Sequence, residues 1–495
     1  MNAIVIREFR QAVRSRYIAA MLLLFLLGEC LVCGGVLISY STDVSASTQS
    51  VMGNTGRSLF LFLFGVLVAM SMLMVPLYTA VRLAVERSDD SVDLYFLTSL
   101  SPHAVIRGKL LAAGGIVLLL FSVSAPFLTM SQALRGIDLP SIAFALVFAF
   151  VILMATTMAA ICIACLPMTR VFKVIVGLVA LGCLVPISAG IIAFTEQVIR
   201  NGSALPMSQY WTGLACMAGL YCSVFGLLYV FAVSMVMPPT ANRALLTRGT
   251  AMALWLLWGA LAVCVEHAGQ SPPVVAHALP VWFCVFMAGL IGWLAIAFLE
   301  DTRVSNRIRR FIPHVPVVRL GAALLCSGRA PGILWTLLLA LLTLIVTCHA
   351  GRNHDVETMQ QLSALFLYVL GAGLTAHLLW RVLCPNLHRF MIVAGAVLLL
   401  AVLGVAPILA KCLVSYSSTG SFFMWKVFSI SALIDPDNNT ELLYHVFAGA
   451  IWAGVMLALH VPWFVRELGK YTPLERAAAA PAATAGPDTE QEAGA

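Results

Sequence analysis

Few side chains of this chain could do chemistry, and they lie far apart in the sequence. Glu29 is the one acidic residue well inside a long apolar stretch. A carboxyl group in such surroundings either belongs to a path for a substrate or an ion, or is a protonated or hydrogen-bonded structural group. We favour the structural interpretation. His377 and His460 lie near the ends of two other apolar stretches, where they can pair or reach a polar boundary, and ligand or proton-relay roles are less expected.

Metal and nucleotide chemistry find little support in the motifs. The pairs Cys30/Cys33 and Cys162/Cys165 each put two thiols on one helical face, but no His or carboxylate cluster nearby completes a ligand set. We therefore interpret these cysteines as packing residues. The phosphate-binding pattern G-x-x-x-x-G-K-[ST] is also absent from the sequence. No cofactor is expected in this chain.

The composition indicates which elements must position these residues. Of 495 residues, 61% are apolar and 10% are charged, whereas a soluble domain is about 25% charged. Too little polar surface is available to cover such a core, which excludes an ordinary soluble enzyme. A helix needs about 20 apolar residues to cross a bilayer, and twelve stretches meet or approach this length. They are residues 17–39, 58–81, 110–130, 142–166, 174–195, 211–237, 249–265, 279–299, 331–349, 361–380, 390–410 and 442–465. The sequence thus predicts an all-α polytopic membrane protein with about twelve transmembrane helices.

The basic residues predict the orientation of these helices. If the N-terminus is cytoplasmic, all but six of the 29 Lys and Arg residues fall on the inner side, as is usual for cytoplasmic loops. The six outer ones are Arg57, Arg135, Arg200, Arg352, Lys411 and Lys426. We predict a multi-pass protein of the cell membrane, with the bacterial inner membrane as the expected location and both termini cytoplasmic. The net charge of +7 then reflects the lipid bilayer and not a nucleic-acid partner.

The loop lengths suggest a repeated organisation. In each set of six helices a long inner loop follows the second helix and a short one follows the fourth. This fits two parallel six-helix halves, a common transporter plan, and chance similarity between apolar helices is the alternative. The predicted segments are residues 1–16 (N-terminal helix), 17–240 (first half, with inner loop 82–109), 241–470 (second half, with the basic inner loop 300–330) and 471–495 (disordered cytoplasmic tail).

Residues 1–16 carry an amphipathic pattern. Arg7, Arg10 and Arg14 fall on one face of a helix, and apolar residues such as Ile6 fall on another. A basic amphipathic helix of this kind lies in the headgroup layer and leads into the first transmembrane helix. Flanking positive charge without such a helix is the alternative, and the apolar stripe favours the helix.

The inner loop 82–109 contains a second short helical pattern. Asp89 or the aspartate after it can cap a helix start, and residues 92–100 then form a short apolar helix with two aromatic residues. Ser101 caps the following helix, because Pro102 is tolerated at the first helical position. A short helix with exposed aromatic residues suits docking into a groove of a soluble partner. A helix lying on the membrane surface fits the pattern almost equally well.

Two motifs resemble the permeases of export-type ABC transporters, also called type-2 ABC transporters. They are Arg7-Glu8-Phe9-Arg10-Gln11 with Arg14-Ser15-Arg16, and Asp93-Leu94 … Leu97-Thr98-Ser99-Leu100-Ser101 … Ile106-Arg107-Gly108-Lys109. The second motif departs from the family at Ser99, where a proline is common. The resemblance covers about the first six predicted transmembrane helices.

This resemblance implies a role for each motif. The first would belong to the interfacial elbow helix of the family, bearing Arg7, Arg10 and Arg14. The second would be the coupling segment that touches an ATPase subunit. The residues assigned to coupling in this way are Asp89, Asp93, Leu94, Leu97 and Leu100. ATP would bind to the partner subunit, so this chain would be a permease and not an enzyme.

Three functions remain as hypotheses, and the first leads. It is the permease subunit of an ATP-driven exporter, working with a separate ABC ATPase chain. The second is a secondary transporter, although Glu29 is nearly alone as an ionisable group at mid-membrane. The third is a membrane enzyme acting on glycans or lipids, whose outer loops should be rich in acids, Arg and His. Either one chain or a pair with a second permease copy could form the pathway, and no polar cluster identifies the substrate.

Overall fold

Helices make up all the regular structure in the described part of the chain. The computed structural model describes residues 3–42, 48–88, 101–134, 137–166, 170–201, 207–238, 241–268, 278–300, 304–310, 312–350, 356–383, 390–414 and 439–473. No strand occurs in these ranges. The predicted all-α class is therefore confirmed.

Fifteen helices are described, and most are long. They are α1 (Ala3–Val13), α2 (Arg16–Thr42), α3 (Thr48–Ser88), α4 (Pro102–Ala133), α5 (Leu139–Cys165), α6 (Arg170–Asn201), α7 (Met207–Val236), α8 (Arg243–Ala268), α9 (Ala278–Leu299), α10 (Asn306–Arg309), α11 (Pro316–Leu324), α12 (Arg329–Ala350), α13 (Val356–Leu383), α14 (Phe390–Val414) and α15 (Asn439–Gly469).

Eleven of the described helices are long and apolar enough to cross a membrane. Each coincides with one of the twelve predicted stretches. The twelfth stretch, residues 390–410, falls in α14, where the apolar segment Met391–Leu403 is shorter. The chain is thus a polytopic helical membrane protein, because helices satisfy all of their backbone hydrogen bonds within the bilayer.

The helices group into two compact units. Unit 1 comprises Met1–Pro238 and Leu246–Leu279, and unit 2 comprises Pro239–Leu245 and Pro280–Ala495. The predicted boundary between halves is residue 240, but unit 1 also contains Leu246–Leu279, which the prediction places in the second half. Each unit has its own buried residues.

In unit 1, α3 packs against α2, α4, α5 and α6. Its buried face carries large apolar side chains one helical turn apart, such as Phe60, Phe64 and Leu67, all less than 1% exposed. The outward side of α6 is different, because Val174, Leu178 and Val185 are each more than 60% exposed. Apolar side chains on both faces are expected for a helix with protein on one side and lipid on the other.

In unit 2, α13 packs against α14 and α15. Two glycines of α13 make close helix packing feasible. A Cβ atom at Gly373 would overlap the ring of Phe298, and one at Gly371 would press on the ring of Trp452. Small residues at such contacts are typical of helix packing in membranes.

The basic inner loop 300–330 is folded in unit 2. It contains α10 and α11, and its small apolar core includes Ile308, Ile312 and the ring of Tyr471. Tyr471 begins the predicted tail, of which only residues 471–473 are among those described. We call the contacts between this loop and Tyr471 the Tyr471 anchor.

Hydrogen bonds to backbone carbonyl and side-chain amide oxygen atoms, rather than ion pairs, hold the Tyr471 anchor. The Tyr471 hydroxyl donates to the Ser327 carbonyl oxygen at 2.7 Å, and Arg319 Nε donates to the Tyr471 carbonyl oxygen at 2.9 Å. The Ser327 hydroxyl donates to Asn242 Oδ1 at 3.0 Å. A Cβ atom at Gly328 would overlap the Tyr471 hydroxyl, so glycine is required for this close approach.

Candidate functional site

The residues proposed for coupling lie outside the described residues. Asp89, Asp93, Leu94, Leu97 and Leu100 all belong to the segment 89–100, which we call the coupling segment. What the structure describes is the helix on each side of it.

The two flanking helices begin and end close to the coupling segment. Helix α3 continues through Ser88, so the first part of the predicted loop 82–109 is helical. Helix α4 begins at Pro102, and the Ser101 hydroxyl accepts a hydrogen bond from the Ala104 amide at 3.3 Å. The predicted cap at Ser101 is therefore confirmed, and it places a defined helix start directly after the segment.

Four charged side chains from three helices meet at the base of the coupling segment. Lys109 Nζ of α4 lies 2.7 Å from Glu86 Oε2 of α3 and 3.3 Å from Glu8 Oε1 of α1. Arg82 Nε of α3 lies 3.4 Å from Glu8 Oε2 and 3.5 Å from Glu86 Oε1. We call Glu8, Arg82, Glu86 and Lys109 the charged quartet. It joins the N-terminal helix to both helices that flank the segment.

The quartet is largely withdrawn from solvent. The side chain of Lys109 is 6% exposed and that of Glu8 is 11% exposed, whereas Arg82 and Glu86 keep about a fifth of their surface. Two acids and two bases balance in formal charge. Removing one partner from a buried pair leaves an uncompensated charge, which typically costs about 3–5 kcal/mol. The quartet therefore favours one arrangement of α1, α3 and α4.

Aromatic residues extend the contact between α1, α2 and these helices. Arg82 also donates to the Tyr78 hydroxyl at 2.7 Å, and the Tyr78 ring stacks on that of Tyr17 with centroids 5.7 Å apart. The ring of Phe9 lies so close to Gly115 that a Cβ atom there would overlap it. The N-terminal helix is thus packed on α4 and not only attached by charge.

The buried face of α1 is not the apolar face that the amphipathic pattern predicts. Arg7, Arg10 and Arg14 are exposed, as an interfacial position requires. Ile6 is 43% exposed, however, and Glu8 is buried at 8%. The sequence does not indicate that Glu8 is buried, because a carboxylate close to three arginines is expected on the polar face of a helix.

Glu29 lies in the middle of α2, fully buried in unit 1. Its Oε1 atom accepts a hydrogen bond from the Ser124 hydroxyl of α4 at 3.1 Å. Among the described residues, no partner reaches its Oε2 atom. The hydrogen bond agrees with the structural interpretation of this residue. That interpretation does not explain why Oε2 has no hydrogen-bond partner among the described residues.

Unit 2 contains two buried pairs that involve histidine. The sequence does not favour a ligand or proton-relay role for His377 and His460. The His377 Nδ1 and His460 Nε2 atoms lie 3.2 Å apart between α13 and α15, and both residues are buried. His460 Nδ1 donates to the Met456 carbonyl oxygen at 2.7 Å, which makes Nε2 the acceptor of the neutral ring. Tyr368 and His445 form a second buried pair at 2.9 Å.

Metal ligation is not supported by the described residues. No group of three or more His, Cys, Asp or Glu side chains that could hold a metal ion occurs among them. Cys33, Cys162 and Cys165 are buried, and the Cys162 thiol donates to the Leu228 carbonyl oxygen at 3.0 Å. These contacts agree with packing roles.

Comparison of the chain with protein-family models, curated proteins and solved structures gives no match. The likeness to type-2 ABC permeases therefore rests on the two sequence motifs. Both motifs contribute to the charged quartet, Glu8 from the first and Lys109 from the second.

Proposed function

We propose that this chain is the membrane-spanning permease subunit of an ATP-driven exporter and that a separate ABC ATPase docks on the coupling segment. The observation that carries the proposal is the charged quartet. It fixes α1, α3 and α4 to one another near the last turn of α3 and the first turns of α4, which flank residues 89–100. A docking segment whose base is held by an ion-paired network can pass its movement to the helices of the bundle.

Transmission would then follow the helices themselves. Closure of the ATPase pair pulls on residues 89–100, and the quartet converts this pull into a common movement of α3 and α4. Helix α4 carries the movement to Ser124 and hence to Glu29 in the interior of unit 1. The partner supplies free energy by binding one conformation better than the other.

The proposal includes an orientation. The coupling segment and both termini face the cytoplasm, where ATP is available, and the exposed arginines of α1 lie among lipid headgroups of the cell membrane. ATP binds to the partner chain, and this chain contributes no catalytic residue.

Co-purification tests the docking site. Leu94→Asp together with Leu97→Asp places two charges in an apolar docking face, and burial of unpaired charge lowers affinity by orders of magnitude. We expect a normally inserted protein that no longer retains the ATPase during purification from native membranes. The matched control is Ala479→Asp with Ala483→Asp, which adds the same charges at two other positions. Full retention of the ATPase by the loop variant would exclude docking at this segment.

A secondary transporter is the second candidate, because unit 2 buries ionisable groups in its membrane helices. The pairs His377/His460 and Tyr368/His445 both bridge α13 and α15. Intramembrane ionisable pairs are typical of ion-coupled carriers. Proteoliposomes distinguish the two candidates: uptake or efflux driven by an imposed pH gradient without ATP supports the carrier, and strict dependence on ATP and an added ATPase supports the exporter.

A further inference from the structure

The carboxyl group of Glu29 lies in surroundings that do not stabilise a charge. Phe25 and Cys33, one helical turn away on either side, are buried with it on α2. From α3, Val66 lies beside the neighbouring Gly28. Cys33 is the titratable group that shares its helical face. From α4 comes the Ser124 hydroxyl, which supplies one hydrogen bond. No Lys, Arg or His forms an ion pair with Glu29 within the described part of the chain.

An isolated carboxylate in such a place is expensive, so the group is held as the neutral acid. A neutral acid has one O–H donor as well as acceptors. Ser124 donates to Oε1, which leaves the acid proton on Oε2. That atom has no acceptor among the described residues. A buried donor without an acceptor costs about 1–3 kcal/mol, so a water molecule that reaches Oε2 would be a favourable acceptor for its proton.

The partner of Glu29 lies where α4 can bend. Ser124 precedes Pro126 by two residues, and Pro126 lies inside α4. Proline provides no backbone N–H and disturbs the preceding turn, so long helices bend at such positions. The quartet residue Lys109 is 15 residues away on the same helix, which is about 22 Å at 1.5 Å per residue. The site is therefore separate from the charged quartet.

We propose that Glu29 is an intramembrane proton-binding site of unit 1. In the closed arrangement the side chain holds its proton. When α4 moves at Pro126 and the contact with Ser124 opens, water enters and the proton is transferred to it, leaving the carboxylate and hydronium. Return of the proton permits the contact to close again. This proton exchange requires no ATPase, so the inference does not depend on the proposed exporter function.

Dicyclohexylcarbodiimide tests the proposal on the full chain in native membranes. This apolar reagent takes the proton of a carboxylic acid on one nitrogen while the carboxylate oxygen bonds to its central carbon. The acyl group then migrates to nitrogen and gives a stable N-acylurea with no leaving group. Mass spectrometry of peptides locates the product. We expect labelling at Glu29 and none at Glu357, an exposed carboxylate on α13.

The pH dependence separates exchange from a purely structural acid. If Glu29 exchanges its proton with water, its labelling rate falls about tenfold or more between about pH 6 and about pH 9, since only the neutral acid reacts. A structural acid that never exchanges would be labelled equally at both values, and this result would overturn the proposal. Absence of labelling at Glu29 at the lower pH would do the same. Glu29→Gln should remove the product and confirms its position.

Discussion

The two long inner loops look alike in length but are tied to the molecule by different forces. The helices on either side of residues 89–100 are joined to α1 by four charges. The loop 300–330 is folded on itself and closed by a buried tyrosine, whose hydroxyl donates to a carbonyl oxygen and whose own carbonyl oxygen accepts from Arg319. Charged contacts weaken with salt and change with protonation, whereas the Tyr471 anchor has the character of a permanent core.

This difference suggests that the two loops have different roles. The quartet stabilises the base of a segment whose apolar side chains are predicted to meet a partner. The loop 300–330 buries its own apolar residues, such as Ile308 and Cys326. A loop that satisfies its own apolar surface has less to gain from docking. This contrast fits the proposal that the first loop couples to a partner, and it favours a structural role for the second.

The largest effect is expected at the centre of the quartet. Lys109→Met removes the amine shared by Glu8 and Glu86 and leaves Arg82 as the remaining cation of the quartet beside two largely buried carboxylates. The expected loss of stability is about 3–5 kcal/mol, measured as a lower thermal unfolding midpoint in detergent. The matched control is Arg107→Met on the same helix, where the side chain is exposed. Equal midpoints for the two variants would contradict the importance of the quartet.

A smaller loss is expected at the Tyr471 anchor. Gly328→Ala places a methyl group against the Tyr471 hydroxyl, and overpacking of this kind typically costs about 1–3 kcal/mol. Removing the hydroxyl makes room, so Tyr471→Phe in the Gly328→Ala background should recover part of the stability. Thermal unfolding of the two single variants and the double variant gives the coupling. Additive losses in the double variant would contradict a close contact between Gly328 and the Tyr471 hydroxyl.

The smallest effect distinguishes the two loops by their response to salt. Glu86→Gln should cost about 1 kcal/mol at low salt, because the side chain is 23% exposed. Raising salt to about 0.5 M should shrink this cost, since screening weakens partly exposed pairs. Tyr471→Phe removes a neutral hydrogen bond and should cost about 1 kcal/mol at either salt concentration. A loss from Glu86→Gln that does not change with salt would remove the contrast between the ion pairs of the quartet and the hydroxyl hydrogen bond of Tyr471.

Much of the fold follows from sequence because it is set locally. Runs of about 20 apolar residues define the transmembrane helices, and Ser101 with Pro102 marks a helix start through contacts three residues apart. The quartet does not follow from such signals. Glu8 and Lys109 are separated by 101 positions, and the side of α1 that meets α4 depends on tertiary packing.

The histidine pairs and the Tyr471 anchor illustrate the same limit. His377 and His460 are 83 positions apart, and each one alone is indistinguishable from a side chain reaching the interface. Tyr471 stands at the start of a tail whose composition suggests no structure, and only its contact with Ser327 reveals that it is buried. Pairings between distant polar residues on apolar helices are fixed by helix packing, which periodicity does not encode.

Site-specific photo-cross-linking shows which of the two loops contacts an ATPase. A photoreactive phenylalanine derivative is placed at Leu97 in the coupling segment or at Val318, which is exposed on α11, and native membranes are illuminated. We expect a cross-linked ABC ATPase from position 97 and none from position 318. Cross-linking of an ATPase from position 318 alone, or of no ATPase from position 97 in a correctly inserted protein, would contradict this expectation.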